Sequence, residues 1–236
     1  MKRSNVSFHL STSSQTEGDK MAGPHQNQRV ASAGESLEDA SVAVMLVHGR
    51  GATALSILQF AREFERDGVA YLAPQAAGNT WYPQSFLAPV EQNEPGRSSG
   101  LQRLGGLLER ANTAGIDSST VLFCGFSQGA CLASEFVARN PRRYGGLAAL
   151  SGGLIGEDID PEEYEGDLAG TPVFLGCSDV DPHIPEERVH ETATVFEQLN
   201  AAVDTRIYPS MGHTVNEDEL SAVTSMLGDV LDTANS

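Results

Sequence analysis

Residues 120–140 read TVLFCGFSQGACLASEFVARN, and Pro141 follows. An apolar run, a turn bracketed by Gly125 and Gly129, and an amphipathic run halted by proline predict strand, tight turn and helix in direct succession. A Gly-x-Ser-x-Gly turn at such a junction suits a nucleophile elbow. Glycines on either side let the backbone make the sharp, strained turn that lifts the Ser127 hydroxyl clear of the sheet. The helix that follows this turn then offers free N–H groups and the positive end of its dipole to a developing anion. The pentapeptide alone is a weak signal, and the strand and helix around it give it force.

Outward from this passage, short apolar runs alternate with amphipathic ones. Buried strands are predicted at 42–47 (VAVMLV), 69–73 (VAYLA), 120–124 (TVLFC), 147–151 (LAALS), 172–177 (PVFLGC) and 203–209 (VDTRIYP). Helices are predicted after Thr53, with Leu55, Leu58, Phe60 and Phe64 on one face, and from Ser98 through Leu108. Three more are expected over 130–140, after Pro185, and over 216–231. Such alternation predicts an α/β fold whose mostly parallel sheet is covered by helices on both faces. There is no internal repeat, and no insertion long enough for a lid domain. Residues 1–34 begin with a polar, Ser- and Gln-rich stretch that cannot bury enough apolar surface to offset its ordering entropy. They are expected to form a disordered tail, with one catalytic domain over 35–236. Both lysines, Lys2 and Lys20, precede Met21. The compositional break there suggests Met21 as the native start, which N-terminal mass spectrometry of the natural protein would check.

The 236 residues carry 32 Asp and Glu against 15 Lys and Arg, a net charge of −17. That balance repels nucleic-acid phosphates and anionic headgroups, so nucleic-acid binding is disfavoured. A carboxylate-coated surface, lysine-free beyond Lys20, also suits high salt, because at about 1 M the Debye length is only about 3 Å. Salt adaptation is therefore expected. Cys124, Cys131 and Cys177 are an odd set in apolar runs, which fits buried thiols in a reducing cytoplasm better than disulfides. No apolar stretch approaches the roughly 18 residues that span a bilayer, and no signal-peptide core follows the N-terminus.

A serine hydroxyl needs a base, and the base needs an orienting acid. Of six histidines, His183 aside, His9 and His25 fall in the expected tail and His48 precedes Ser127. His190 lies in a helix beside Glu187, where a solvated face is its expected place. His213 remains, in the turn after the last strand. For the acid, Asp181 follows the 172–177 strand, with Asp179 as its competitor. The run Asp179-Val180-Asp181-Pro182-His183 also admits a metal-cluster reading, but no further ligand with suitable spacing accompanies it. An oxyanion hole needs two amides, assigned to Gln128 and to Arg50 in the loop His48-Gly49-Arg50-Gly51. His48 is read as holding that loop. The Arg50 side chain has two open readings, toward an acidic substrate group or as a plain surface arginine.

VHGRG, APQAAGNTWYP, GFSQG, SDVDPHIP and YPSMGHT, in this order, resemble the phospholipase/carboxylesterase family of α/β-hydrolases, which includes acyl-protein thioesterases. The resemblance spans residue 42 to the C-terminus. It implies the α/β-hydrolase fold, a triad at Ser127, Asp181 and His213, and oxyanion donors at Arg50 and Gln128. Arg50 stands where the thioesterases are often apolar, which tells against a lipidated-protein substrate. Trp81, Tyr82 and Phe86 fall in the segment that lines the acyl pocket of relatives, with core packing as the other reading for Trp81. The expected function is hydrolysis of short- or medium-chain carboxylic esters through an acyl-enzyme, with thioesters and lysophospholipids as further candidates. No metal or organic cofactor is called for, the substrate is a small-molecule ester, and a homodimer is a candidate assembly. Carbon–carbon or ring cleavage by the same triad is the alternative, and a non-catalytic ligand-binding role is a third reading.

Overall fold

Strand and helix alternate from β1 to α5, and the computed structural model describes residues 23–235. The strands are β1 (Val30–Gly34), β2 (Val42–Val47), β3 (Val69–Pro74), β4 (Val121–Phe126), β5 (Gly146–Leu150), β6 (Pro172–Ser178) and β7 (Ala202–Tyr208). The helices are α1 (Ala54–Phe60), α2 (Gly96–Thr113), α3 (Gln128–Arg139), α4 (Glu186–Gln198) and α5 (Glu217–Ala234). Strand order is β1-β3-β2-β4-β5-β6-β7. Only β1 runs antiparallel, against β3, and every other neighbouring pair is parallel.

Strands β2 to β6 read as unbroken apolar runs because the sheet is covered on both faces there, whereas β7, expected to be buried, is an edge strand with Asp204 and Arg206 and only exposed or half-buried residues. In β2, Ala43, Met45 and Val47 point into one core with Leu104 and Leu108 of α2, Phe136 of α3 and Phe196 of α4. Val42, Val44 and Leu46 point into the other, with Ile57 and Leu58 of α1 and Val223 and Leu227 of α5. Each fully buried Leu or Phe contributes about 1.5–3 kcal/mol relative to exposure. All three cysteines are free and buried. Among the described residues no helix is long and apolar enough to cross a membrane.

Two expectations need correction. The folded domain begins before residue 35, because Val30–Gly34 form an edge strand and His25 and Gln26 are buried. The small side chains of VASAG give no hydrophobic pattern to read, and β1 is specified by its pairing with β3. The tail reading for residues 1–22, and with it the start at Met21, lies outside the described residues. Leu55, expected on the buried face of its helix, is 42% exposed. Helix α1 is only seven residues long, and its inward face is Ala54, Ile57 and Leu58.

A buried ionic knot ties the helices together. Glu135, with no exposed side-chain surface, pairs with Arg97 of α2 at 2.5 Å and with Arg139 one turn along α3. Its other oxygen accepts from the Ile155 amide at 3.1 Å and the Tyr164 hydroxyl at 3.3 Å. No expectation covered this network, since pairing across helices leaves no local spacing signal.

Candidate active site

The fold collects its chemistry at the carboxyl ends of β4, β6 and β7, where open parallel sheets place ligand sites. Ser127 caps α3 at φ 56°, ψ −123°, a backbone conformation that costs of order 1–3 kcal/mol and persists only where the surroundings enforce it. The glycines on either side explain why the turn is possible. A Cβ on Gly129 would lie 2.0 Å from the Val47 carbonyl oxygen, and one on Gly125 would lie 2.5 Å from the Gly129 carbonyl oxygen. The Ser127 amide donates to Leu150 O at 2.9 Å, which pins the turn to β5.

His213 arrives from the turn after β7 with Nε2 2.9 Å from Ser127 Oγ. Its Nδ1 lies 2.7 Å from Asp181 Oδ2. Because the carboxylate only accepts, Nδ1 carries the proton and donates, leaving the Nε2 lone pair to accept from the serine hydroxyl. Asp181 Oδ1 also accepts from the amides of His183 at 2.8 Å and Ile184 at 3.1 Å. Burial works against the charged form of Asp181. The hydrogen bonds from His213 and the two amides outweigh it and hold the carboxyl below its ordinary value.

The competitor Asp179 does something else: Oδ1 accepts from the Ser210 amide at 2.7 Å and so ties the histidine turn to the end of β6. Ser178 Oγ adds a second tie by accepting from the Gly212 amide at 3.0 Å. The carboxylates of Asp179 and Asp181 are thus engaged by different loop groups. Among the described residues no cluster of three or more His, Cys, Asp or Glu is placed to hold a metal.

His48 and His190 occupy the places expected of them. His48 is buried, its Nδ1 donating to Gly49 O at 2.8 Å and its Nε2 accepting from the Ala76 amide at 3.1 Å. Burial lowers its pKa, which keeps the ring neutral for both contacts. His190 is exposed beside Glu186. The amides of Arg50 and Gln128 have no acceptor among the described residues, which leaves both for a ligand oxygen. Their loops abut the serine: a Cβ on Gly49 would come within 3.4 Å of Ser127 Cβ.

The two readings of the Arg50 side chain are both incomplete. It straps down the neighbouring loop, Nη1 donating to Pro83 O at 2.9 Å and Nη2 donating to Tyr82 O at 3.0 Å and Gln84 O at 2.5 Å. Gln128 straps the same loop from the other side, accepting from the Trp81 amide at 2.8 Å and donating to Tyr82 O at 2.9 Å.

A cavity of about 500 Å³ opens beside Ser127, lined in part by Tyr82 and Phe86 but not by Trp81. Trp81 is wholly buried, and its indole N–H donates to His48 O at 2.9 Å. The core reading holds for it. His25, expected in the tail, packs its ring 5.1 Å from the indole. It bridges the Trp81 carbonyl at 2.9 Å and the Ala77 amide at 3.0 Å. Nothing local in the sequence marks His25. His183 also lines the cavity, its ring 4.9 Å from that of His213. Cys131, another lining residue, is no rival nucleophile, since burial pushes its thiol up to about 11.

One buried acid underlies the histidine turn. Glu219 and Asn216 form a capping box at the start of α5, legible as Asn-x-x-Glu. Glu219 Oε1 is buried without a partner, and burial pushes the carboxyl up to about 7. Between about pH 4.5 and 7 the native state therefore holds a proton that the unfolded chain has released, so this group makes stability fall as pH rises. Glu219→Gln removes that slope. Urea unfolding of both proteins at pH 5 and pH 8 should show the variant gaining on wild type by about 1–3 kcal/mol at the higher pH.

Comparisons with known proteins bear on the family and the fold. The sequence profile of a family described as phospholipase/carboxylesterase matches residues 26–231. The crystal structure of a phospholipase/carboxylesterase from Dyadobacter fermentans superposes with a TM-score of 0.83 at 41% identity, covering 87% of this chain and 98% of that one. Acyl-protein thioesterase 1 of Kluyveromyces lactis is 31% identical over 140 residues, 58% of this chain and 61% of that protein. A probable carboxylesterase, SOBER1-like, of Arabidopsis thaliana is 24% identical over 63% of this chain and 58% of its own length. The chain thus spans about three fifths of the length of these two curated relatives.

Proposed function

The chain belongs to the phospholipase/carboxylesterase family of α/β-hydrolases, and from that membership we propose that it is a serine hydrolase cleaving short- to medium-chain carboxylic esters through an acyl-enzyme. The hydrogen-bonded sequence Ser127 to His213 to Asp181 carries the reading. Ser127 Oγ attacks the ester carbonyl carbon as its proton passes to His213 Nε2. The oxygen of the tetrahedral intermediate is held by the Arg50 and Gln128 amides, which have no other acceptor among the described residues. Collapse expels the alcohol, which leaves with the proton from His213. Water then repeats the sequence on the acyl-enzyme, giving up its proton to His213, and the acid departs as Ser127 is restored. Asp181 keeps Nδ1 protonated and steadies the imidazolium.

Thioesters fit the same chemistry, as the names of the thioesterase relatives suggest. The cavity, open and of about 500 Å³, favours modest acyl chains. The free thiols support a cytoplasmic location. The test is turnover of p-nitrophenyl esters from acetate to palmitate in molar KCl. Activity concentrated at short and medium chains is expected, and a folded protein inert toward the whole series would overturn the reading. Asp181→Asn should lower kcat about 10⁴-fold with the fold intact, because an amide no longer enforces the productive tautomer. Steady-state kinetics beside a circular-dichroism melt would check it.

A further inference from the structure

We propose that the acyl part of the natural ester carries an anionic group, a carboxylate in the simplest case, held by the Arg50 guanidinium; this rests on the ester-hydrolase reading above. The chain has 32 acidic residues, yet among the described residues none lines the cavity beside Ser127. The cationic or cationisable nitrogen side chains there are Arg50, His183 and His213. An anion that the rest of the surface repels meets no opposing charge at this opening.

Arg50 also differs from the arginines that pair with acids, and although Arg103 is likewise held by carbonyls, of Gln26 and Gln28, it does not line the cavity. Arg97 and Arg139 pair with Glu135, Arg188 with Glu191, and Arg206 with Asp204 and Asp218. Arg50 instead meets three backbone carbonyls, of Tyr82, Pro83 and Gln84. Carbonyl oxygens orient a guanidinium without cancelling its charge. Its Nε–H and second Nη1–H keep no acceptor among the described residues, and since they point to different sides of the guanidinium, either can give a carboxylate oxygen one charge-assisted hydrogen bond. Because the strap has already fixed the side chain, a ligand that meets it faces a reduced ordering cost. The strap fastens it to the loop that carries Tyr82 and leads to Phe86, two residues lining the cavity, so the charge stands beside the wall that the proposal gives to the acyl group.

The experiment compares esters differing only in a terminal carboxylate: monoethyl succinate against ethyl butyrate, and monoethyl adipate against ethyl hexanoate. Ethanol release is followed in molar KCl. Wild type should favour the anionic member of at least one pair by about 3- to 10-fold in kcat/KM, the range of a charge-assisted hydrogen bond at a partly exposed site. Arg50→Gln should bring that ratio to one or below, and Arg50→Lys should retain part of it, whatever either change does to absolute rates. A wild-type ratio at or below one in both pairs, or a ratio indifferent to Arg50→Gln, overturns the proposal while leaving the ester-hydrolase reading standing. Failure of folded wild type to hydrolyse any of the four esters, and the p-nitrophenyl series as well, strikes that reading and this inference together.

Discussion

Ser127→Ala should abolish turnover while leaving the protein folded, with kcat falling about 10⁵- to 10⁶-fold. The figure follows from the way the three side chains act as a unit. Without the hydroxyl no acyl-enzyme forms, so His213 and Asp181 lose their purpose, and only ground-state binding and the oxyanion amides still accelerate attack by water. At 1.36 kcal/mol per tenfold, the loss corresponds to about 7–8 kcal/mol of transition-state stabilisation. Nothing comparable should happen to stability. The turn is held by the Ser127 amide on Leu150 and by close packing around Gly125 and Gly129, all of which alanine keeps. Burst and steady-state kinetics on a p-nitrophenyl ester, with a thermal melt, would decide. Retained turnover would move the nucleophile elsewhere, and lost structure would mean that the hydroxyl holds the elbow.

Glu135→Gln should cost about 3 kcal/mol or more of stability, although Glu135 contributes no surface to the cavity. The substitution keeps the shape of the side chain and removes its charge from between Arg97 and Arg139. Arg97 is then a nearly buried cation whose remaining partner, Glu94, lies 3.3 Å away at the surface. Breaking one member of a buried ion network typically costs 3–5 kcal/mol, because the other charge is left desolvated. Urea denaturation should show a lower midpoint with an unchanged slope. The double variant Glu135→Met with Arg97→Met removes both charges and should lose less than either single change, which separates an unpaired charge from a general packing defect.

The geometry of the candidate site was legible because each of its parts sits at a strand end with its own local mark. GFSQG lies between an apolar run and a helix, and Asp181 and His213 each follow a strand by a few residues. What the sequence hid was whatever depends on contact between distant segments. His25 reads as a polar residue in a polar stretch, and only the Trp81 carbonyl 56 positions away makes it a buried strut. Asp179 and Asp181 are equivalent by composition. The direction of a loop decides that one meets His213 and the other the Ser210 amide. Trp81 illustrates a further limit, since sequence position brought it into the right segment without saying which way the ring points. Its two successors in that reading, Tyr82 and Phe86, do border the cavity.

Arg50 and Gln128 each have two ends at work: a backbone amide free beside Ser127, and a side chain bracing residues 81–84. This gives the protein an uneven evolvability. A substitution in the braced loop pulls on the same two residues whose amides are proposed to stabilise the oxyanion, so a change in substrate range there should be coupled to a change in rate. Phe86 and Ile184 border the cavity and lie outside the braced residues 81–84. Laboratory evolution toward larger acyl groups should accordingly gather its first beneficial mutations at these two positions and spare residues 81–84.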